Sequence, residues 1–241
     1  MKKALLIVIS VLAVALLLPA DVYIKTNVHT DAFTMMGQNQ PAKDDVTEQW
    51  VGNGLLANKT ADKVLIMDMN KKLMSIVNMK NRTYVETDLP LDMSKLVPKE
   101  AAPMMAMMKV TVKVTPNGQK QKIGNWNCSG YDVDMTMMMM QMKMKVWATT
   151  EVPFDWKAFA KIYTNVSKMQ FMDDAAIAEF MKIEGFQVAM EMSMDMMGSK
   201  MKVTSQVVEI SQKPAPDGTY KIPVGFTKKD TLSMEDLRSG K

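Results

Sequence analysis

The stretch Phe186-Gln-Val-Ala-Met-Glu-Met-Ser-Met-Asp-Met196 places an apolar side chain at every even position, with polar residues between them from Met190 onward. Successive side chains of a β-strand point to opposite faces of its sheet, so this pattern predicts a strand with one apolar face. Four thioethers stand in a row on that face: Met190, Met192, Met194 and Met196. The stretch therefore predicts a sheet whose apolar face is built largely from methionine.

An earlier pair of stretches repeats the pattern with a change of phase. Apolar residues first follow odd numbers, at Tyr131, Val133, Met135, Met137 and Met139, and then even numbers, at Met138, Met140, Met142, Met144 and Val146. A tight turn or a bulge near Met138–Met140 accounts for this change. Either device places methionines at the end of a hairpin.

Short runs of near-alternating polarity between turn-rich pieces predict an antiparallel meander in the N-terminal part. The expected strands are Val22–Thr34, Val46–Val51, Lys63–Met69, Leu73–Val77 and Thr83–Thr87. Pro98 and Pro103 then predict a short broken segment between Leu91 and Met108. Strands resume at Lys109–Thr115, with a turn at Pro116-Asn-Gly118, and continue at Tyr131–Met137, Met142–Ala148, Phe186–Met196 and Met201–Ile210.

Two helices are predicted between these strands. Asp155 is a good N-cap for the first, in which Trp156, Phe159, Tyr163 and Val166 recur at helical spacing. Asp173 or Asp174 caps the second helix, and Gly185 is placed to end it. The whole pattern predicts a mainly β, α+β protein, an antiparallel sheet with a few covering helices.

The N-terminus has the three parts of a secretory signal peptide. Lys2 and Lys3 precede an apolar run from Ala4 to Leu18, and Pro19-Ala20 offers a small residue before Asp21. We expect residues 1–20 to be removed and residues 21–241 to form one periplasmic domain, soluble after cleavage. Oligomeric state is not predicted.

Composition argues against most catalytic chemistry. The 241 residues include 29 Met but one His and one Cys. Residues 1–20 hold Lys2 and Lys3 and no acid, so the expected mature chain has a net charge of +2, which gives no support to nucleic-acid binding. The motifs of common hydrolases, nucleotide-binding proteins and zinc enzymes are absent from the sequence. We therefore expect a protein that is not an enzyme and that has no catalytic residue and no cofactor. Cys128 is expected to be a small buried side chain and His29 an ordinary half-exposed one.

The methionine pattern admits three interpretations. Methionine is able simply to replace Leu, Ile and Val in a core. Flexible thioether chains also form adaptable surfaces for apolar ligands. Thioether sulfur suits Cu(I), so cross-strand partners are able to complete a three-sulfur site, although copper sites commonly use imidazole as well.

Several short motifs resemble a family of exported bacterial domains of unknown function that is similar to the LolA/LolB-like lipoprotein carriers. They are Lys63–Met69 with Asp68, Lys80-Asn-Arg-Thr-Tyr84, Ile123-Gly with Cys128 and Tyr131, Val146-Trp147 with Thr149 and Pro153, and Tyr220-Lys-Ile-Pro223 with Gly225-Phe226. The resemblance implies an incomplete antiparallel β-barrel, a half-barrel, with an apolar hollow partly covered by helices. In the carriers that hollow holds acyl chains.

These observations predict a periplasmic protein that binds an apolar ligand, a lipid acyl chain or a hydrophobic peptide, on a methionine-rich concave sheet face. The predicted ligand-binding residues are Met135, Met137, Met139, Trp147, Met190, Met192, Met194 and Met196. No metal site is assigned, and Cu(I) binding or buffering by the clustered methionines stays an alternative. A third alternative is a structural protein of the cell envelope that acts through a protein partner and has no small ligand.

Overall fold

A computed structural model describes residues 21–35, 38–92, 96, 110–137, 140–169, 172–196 and 199–233. The predicted signal peptide, Met138, Met139 and most of the segment between Leu91 and Met108 lie outside these residues. Within the described part, no helix is both long and apolar enough to cross a membrane.

The N-terminal part contains the predicted meander. Its strands are β1 (Val22–Thr30), β2 (Phe33–Met35), β3 (Gln38–Gln40), β4 (Lys43–Gly52), β5 (Leu55–Lys59), β6 (Lys63–Asp68), β7 (Leu73–Asn78) and β8 (Thr83–Asp88). From β4 to β8 each strand pairs antiparallel with the next. The first strand is shorter than predicted, because β2 leaves the main sheet and pairs with β3. Strand β5 was missing from the prediction.

The remaining strands are β9 (Val110–Ile123), β10 (Trp126–Met137), β11 (Met140–Thr149), β12 (Phe186–Met196), β13 (Ser199–Gln212) and β14 (Thr227–Lys229). The turn predicted at Pro116-Asn-Gly118 is wrong, since β9 continues through it. The register with β10 shifts there, from Tyr131 opposite Pro116 to Ser129 opposite Lys120. A bulge therefore absorbs the turn-forming residues without ending the strand.

Twelve of these strands form one sheet in the order β14-β8-β7-β6-β5-β4-β1-β13-β12-β11-β10-β9. Strand β1 joins the meander to the C-terminal strands, because it pairs antiparallel with both β4 and β13. At one end β14 pairs parallel with β8, and at the other β9 is the edge. Across the described residues the protein is thus mainly β, with a large open sheet.

Both predicted helices are present, α1 (Trp156–Met169) and α2 (Asp174–Phe180). Asp155 caps α1, since its carboxylate accepts hydrogen bonds from the backbone N–H groups of Lys157 and Ala158 at 2.9 and 3.1 Å. Asp173, rather than Asp174, caps α2. Helix α2 ends before Gly185, which instead precedes β12 with a φ of 111°.

Helix α1 packs across the junction between the two parts of the sheet. Its Phe159 belongs to a buried cluster with Ile24, Val188 and Val207, from β1, β12 and β13. Its Tyr163 also packs against the cluster that the meander forms around residues such as Leu56. The helix therefore covers the centre of the sheet, and we call the sheet side that contacts it the helix-covered face.

Candidate functional site

The register of four neighbouring strands places methionines opposite one another on the helix-covered face. Met135 of β10 pairs with Met142 of β11, Met142 pairs with Met194 of β12, and Met194 pairs with Met201 of β13. We call these four residues the methionine row. Met142 is buried, whereas the other three are half-buried.

Two further rows extend this surface. In one, Val133, Met144, Met192 and Val203 stand in register across the same four strands. In the other, Met137 faces Met140 where β10 and β11 meet. The change of phase in the sequence therefore falls between these two residues, at the connection of the hairpin.

Five of the predicted ligand-binding residues share this face: Met135, Met137, Met190, Met192 and Met194. Met139 lies outside the described residues. Met196 ends β12 opposite Ser199.

Trp147 lies apart from the methionine row, five residues beyond Met142 along β11. Its buried side chain belongs to the same cluster as Phe159 and Val188. Among the predicted methionines, Met190 lines one concavity together with Trp147.

The site prediction omitted Met142, Met144 and Met201, which complete the methionine rows. The even-numbered alternation of β11 marked the first two as apolar-face residues. What the sequence left open was the pairing of β11 with β12, because these strands are separated by both helices. The methionine rows therefore depend on a strand pairing that the sequence pattern does not specify.

A cavity of about 490 Å³ lies between the two helices and the helix-covered face. Phe159 and Ala160 of α1, together with Ile177 and Phe180 of α2, form its helical side. The sheet side includes Ile24, Val28, Phe186, Val188, Met190, Ser205 and Val207. The volume falls within the range of about 300–1,000 Å³ that is typical of small-ligand sites.

The lining of the cavity carries no Asp, Glu, Lys, Arg or His among the residues that the structure describes. Aromatic contacts stiffen one wall. The ring of Phe159 stacks on Tyr163 with centroids 4.8 Å apart and meets the edge of Phe186 at 5.2 Å. Aromatic pairs in these arrangements contribute packing energy beyond the area they bury. The cavity is thus uncharged and largely apolar, with one aromatic side.

Four uncharged polar side chains line the cavity on β1, β4 and β5. Thr26 pairs with Thr47, and Gln49 pairs with Asn58. Burial raises the pKa of the nearby Tyr163 phenol, so this group stays neutral at physiological pH. These polar groups provide hydrogen-bonding capacity without charge at one side of the cavity.

Met190 connects this cavity to the methionine rows. It lines the cavity. Along β12 it is two residues from Met192, so both side chains lie on the same face of the sheet. Met135 and Met137 pack against the buried cluster of α2, close to Phe180. Most of the predicted methionines therefore lie beside the cavity rather than inside it.

A second concavity, of about 700 Å³, is lined in part by Trp147, His29 and Met190. His29 is held by two carboxylates, with Nδ1 2.7 Å from Asp44 and Nε2 3.1 Å from Asp31. The hydrogen bond to Asp44 is the main reason that the pKa of His29 lies above its usual value. No group of three or more His, Cys, Asp or Glu suited to a metal ion occurs in the described part of the chain.

The fold and the site together define an open, mainly β sheet whose one face carries a helix-covered apolar cavity. Residues 28–226 match the model of a family described as a domain of unknown function, DUF4412, and the chain belongs to that family. The search of curated proteins found no match.

Proposed function

We propose that this protein is an exported carrier or receptor for an apolar ligand, a lipid acyl chain, held in the cavity between α1, α2 and the sheet. The observation that carries the proposal is the uncharged lining of the 490 Å³ cavity. An acyl chain makes no hydrogen bonds along its length, so it suits a wall of aromatic and aliphatic side chains. The chemistry is that of binding and release, with no reaction.

The energetics permit useful affinity. Removing apolar surface from water contributes about 25 cal/mol per Å². A chain with a few hundred Å² covered therefore reaches the micromolar range after the entropy cost of association is subtracted. The side chains of Thr26, Thr47 and Gln49 offer hydrogen-bond partners to an ester or amide at the end of the chain, beside Asn58, which hydrogen bonds with Tyr163.

Two further parts of this proposal rest on the sequence. We propose that residues 1–20 direct export to the periplasm and that the open sheet acts as a half-barrel similar to the LolA/LolB-like carriers. Residues Met190, Met192 and Met194 would extend the apolar wall beyond the cavity and accommodate chains of different shape, since methionine side chains repack readily.

Filling the cavity tests the proposal. Ala160 lines the cavity from α1 and is half-buried, so A160W inserts an indole where the chain would lie. We expect the affinity for a fluorescent polyene fatty acid, parinaric acid, to fall at least about tenfold, which corresponds to about 1.4 kcal/mol. Fluorescence titration of the purified protein measures this.

The matched control is A158W, which places the same side chain on an exposed position of the same helix. It should bind the probe as the parent does. Equal affinity in A160W and A158W, with both proteins folded by circular dichroism, would show that the cavity is not the site.

A further inference from the structure

The methionine row concentrates soft sulfur ligands at one place on the sheet. Met135, Met142 and Met194 come from three adjacent strands and stand directly opposite one another. The neighbouring row, by contrast, has valine on both of its outer strands, Val133 and Val203. Among the described strand pairs, this is therefore the level at which a run of thioethers continues without a break across more than two strands.

Strand spacing suits a shared ion. Neighbouring strands lie about 4.8 Å apart. A metal–sulfur bond is about 2.3 Å long in zinc sites, so two sulfur atoms bound to one ion lie about 4 Å apart, which is close to the strand spacing. Methionine has three rotatable bonds, so the side chains of Met135 and Met194 are able to lean toward the central Met142. We therefore expect the three sulfurs to reach one ion without movement of the backbone.

The surroundings favour a soft ion over a hard one. The polar residues on these strands, such as Lys143, Ser193 and Asp195, alternate to the opposite face. Thioether sulfur selects Cu(I), whereas carboxylate and imidazole ligands suit zinc and harder ions. Met135 and Met194 are half-buried rather than sealed, which leaves the sulfurs a path to solvent.

We propose that Met135, Met142 and Met194 form a Cu(I)-binding site of three thioethers on the helix-covered face. Binding is coordination only, with no change in the oxidation state of copper. The site is separate from the proposed acyl-chain cavity, because none of the three residues is among its lining.

Competition of the purified full-length protein against bathocuproine disulfonate, under anaerobic reducing conditions, measures its Cu(I) affinity. We expect the triple variant M135L/M142L/M194L to bind at least about tenfold more weakly than the parent. Leucine keeps the volume and apolarity but removes sulfur, a change that usually costs less than about 1.5 kcal/mol of stability. The control M67L/M69L/M74L removes three thioethers from the meander and should keep the affinity of the parent.

The pH dependence of Cu(I) affinity distinguishes a thioether site from a site with His or Cys ligands. Thioethers carry no proton to lose, so Cu(I) affinity should be nearly equal at pH 5 and pH 7, and Zn(II) should not compete. No Cu(I) binding by the parent, or equal binding by the parent and the triple variant, would overturn the site. A160W should weaken fatty-acid binding but leave Cu(I) binding unchanged, so the two proposals fail independently.

Discussion

At the scale of single residues, Gly185 is a position where backbone geometry demands glycine. Its φ of 111° is a conformation that residues with a Cβ rarely adopt. A Cβ built there would lie 2.5 Å from the backbone oxygen of Thr149, the residue that pairs with Phe186. Both strain and a clash with backbone therefore oppose any substitution.

We expect G185A to lower the free energy of unfolding by more than G118A. Gly118 also has a positive φ, 71°, but nothing lies within 4 Å of its Cβ position. G118A should thus cost only the conformational strain, about 1–2 kcal/mol, and G185A at least about 1 kcal/mol beyond that. Urea unfolding followed by tryptophan fluorescence compares the two, and equal losses would contradict a role for the Thr149 contact.

At the scale of secondary-structure elements, α2 covers the edge of the sheet. Glu179 accepts a hydrogen bond from the backbone N–H of Val114 on β9 at 3.1 Å. Its ion pair with Lys182 is the main reason that the pKa of Glu179 lies below its usual range, so the carboxylate stays charged. Covering an edge strand in this way protects backbone N–H groups that would otherwise be able to pair with a strand of another chain.

The stability of α2 should depend on Asp173 more than on Asp174. The Asp173 carboxylate accepts a hydrogen bond from the N–H of Ala176 at 2.8 Å, whereas Asp174 lies within the first turn. We expect D173A to lower the free energy of unfolding by about 1 kcal/mol and D174A by less. Thermal denaturation of the two variants measures the difference, and a larger loss in D174A would reverse the assignment of the cap.

At the scale of the whole molecule, β1 holds the sheet together. It pairs with β4 on one side and with β13, from the far end of the chain, on the other. Ile24, the third residue of this strand, has 1% of its surface exposed. Loss of its side chain weakens the junction between the meander and the C-terminal strands.

We expect I24A to lower the free energy of unfolding by about 2–5 kcal/mol, the usual cost of a large-to-small change in a core. Amide hydrogen exchange should then accelerate in both β7 and β10, because both parts of the sheet depend on β1. V208A, at a largely exposed position of the adjacent β13, is the control and should cost less than about 0.5 kcal/mol. Faster exchange confined to one of the two strands would contradict this coupling.

Local features were predictable because their causes lie within a few residues. Alternation located most of the strands, side-chain capping located both helix starts, and the small apolar character of Cys128 predicted its burial, which is confirmed at 2% exposure. The continuation of β9 through Pro116-Asn-Gly118 was not predictable, since pairing with β10 outweighs the local preference for a turn.

By itself, the sequence determined which side of each strand is apolar and where methionine replaces aliphatic residues, because side-chain direction alternates with chain position. The tertiary structure decided which strands are neighbours, and hence that Met142 stands between Met135 and Met194. It also decided that Trp147 lies apart from the methionine row and that the cavity lies beside this row. These outcomes depend on the pairing of distant segments, which is selected by the burial of the whole sheet and both helices rather than by any local pattern.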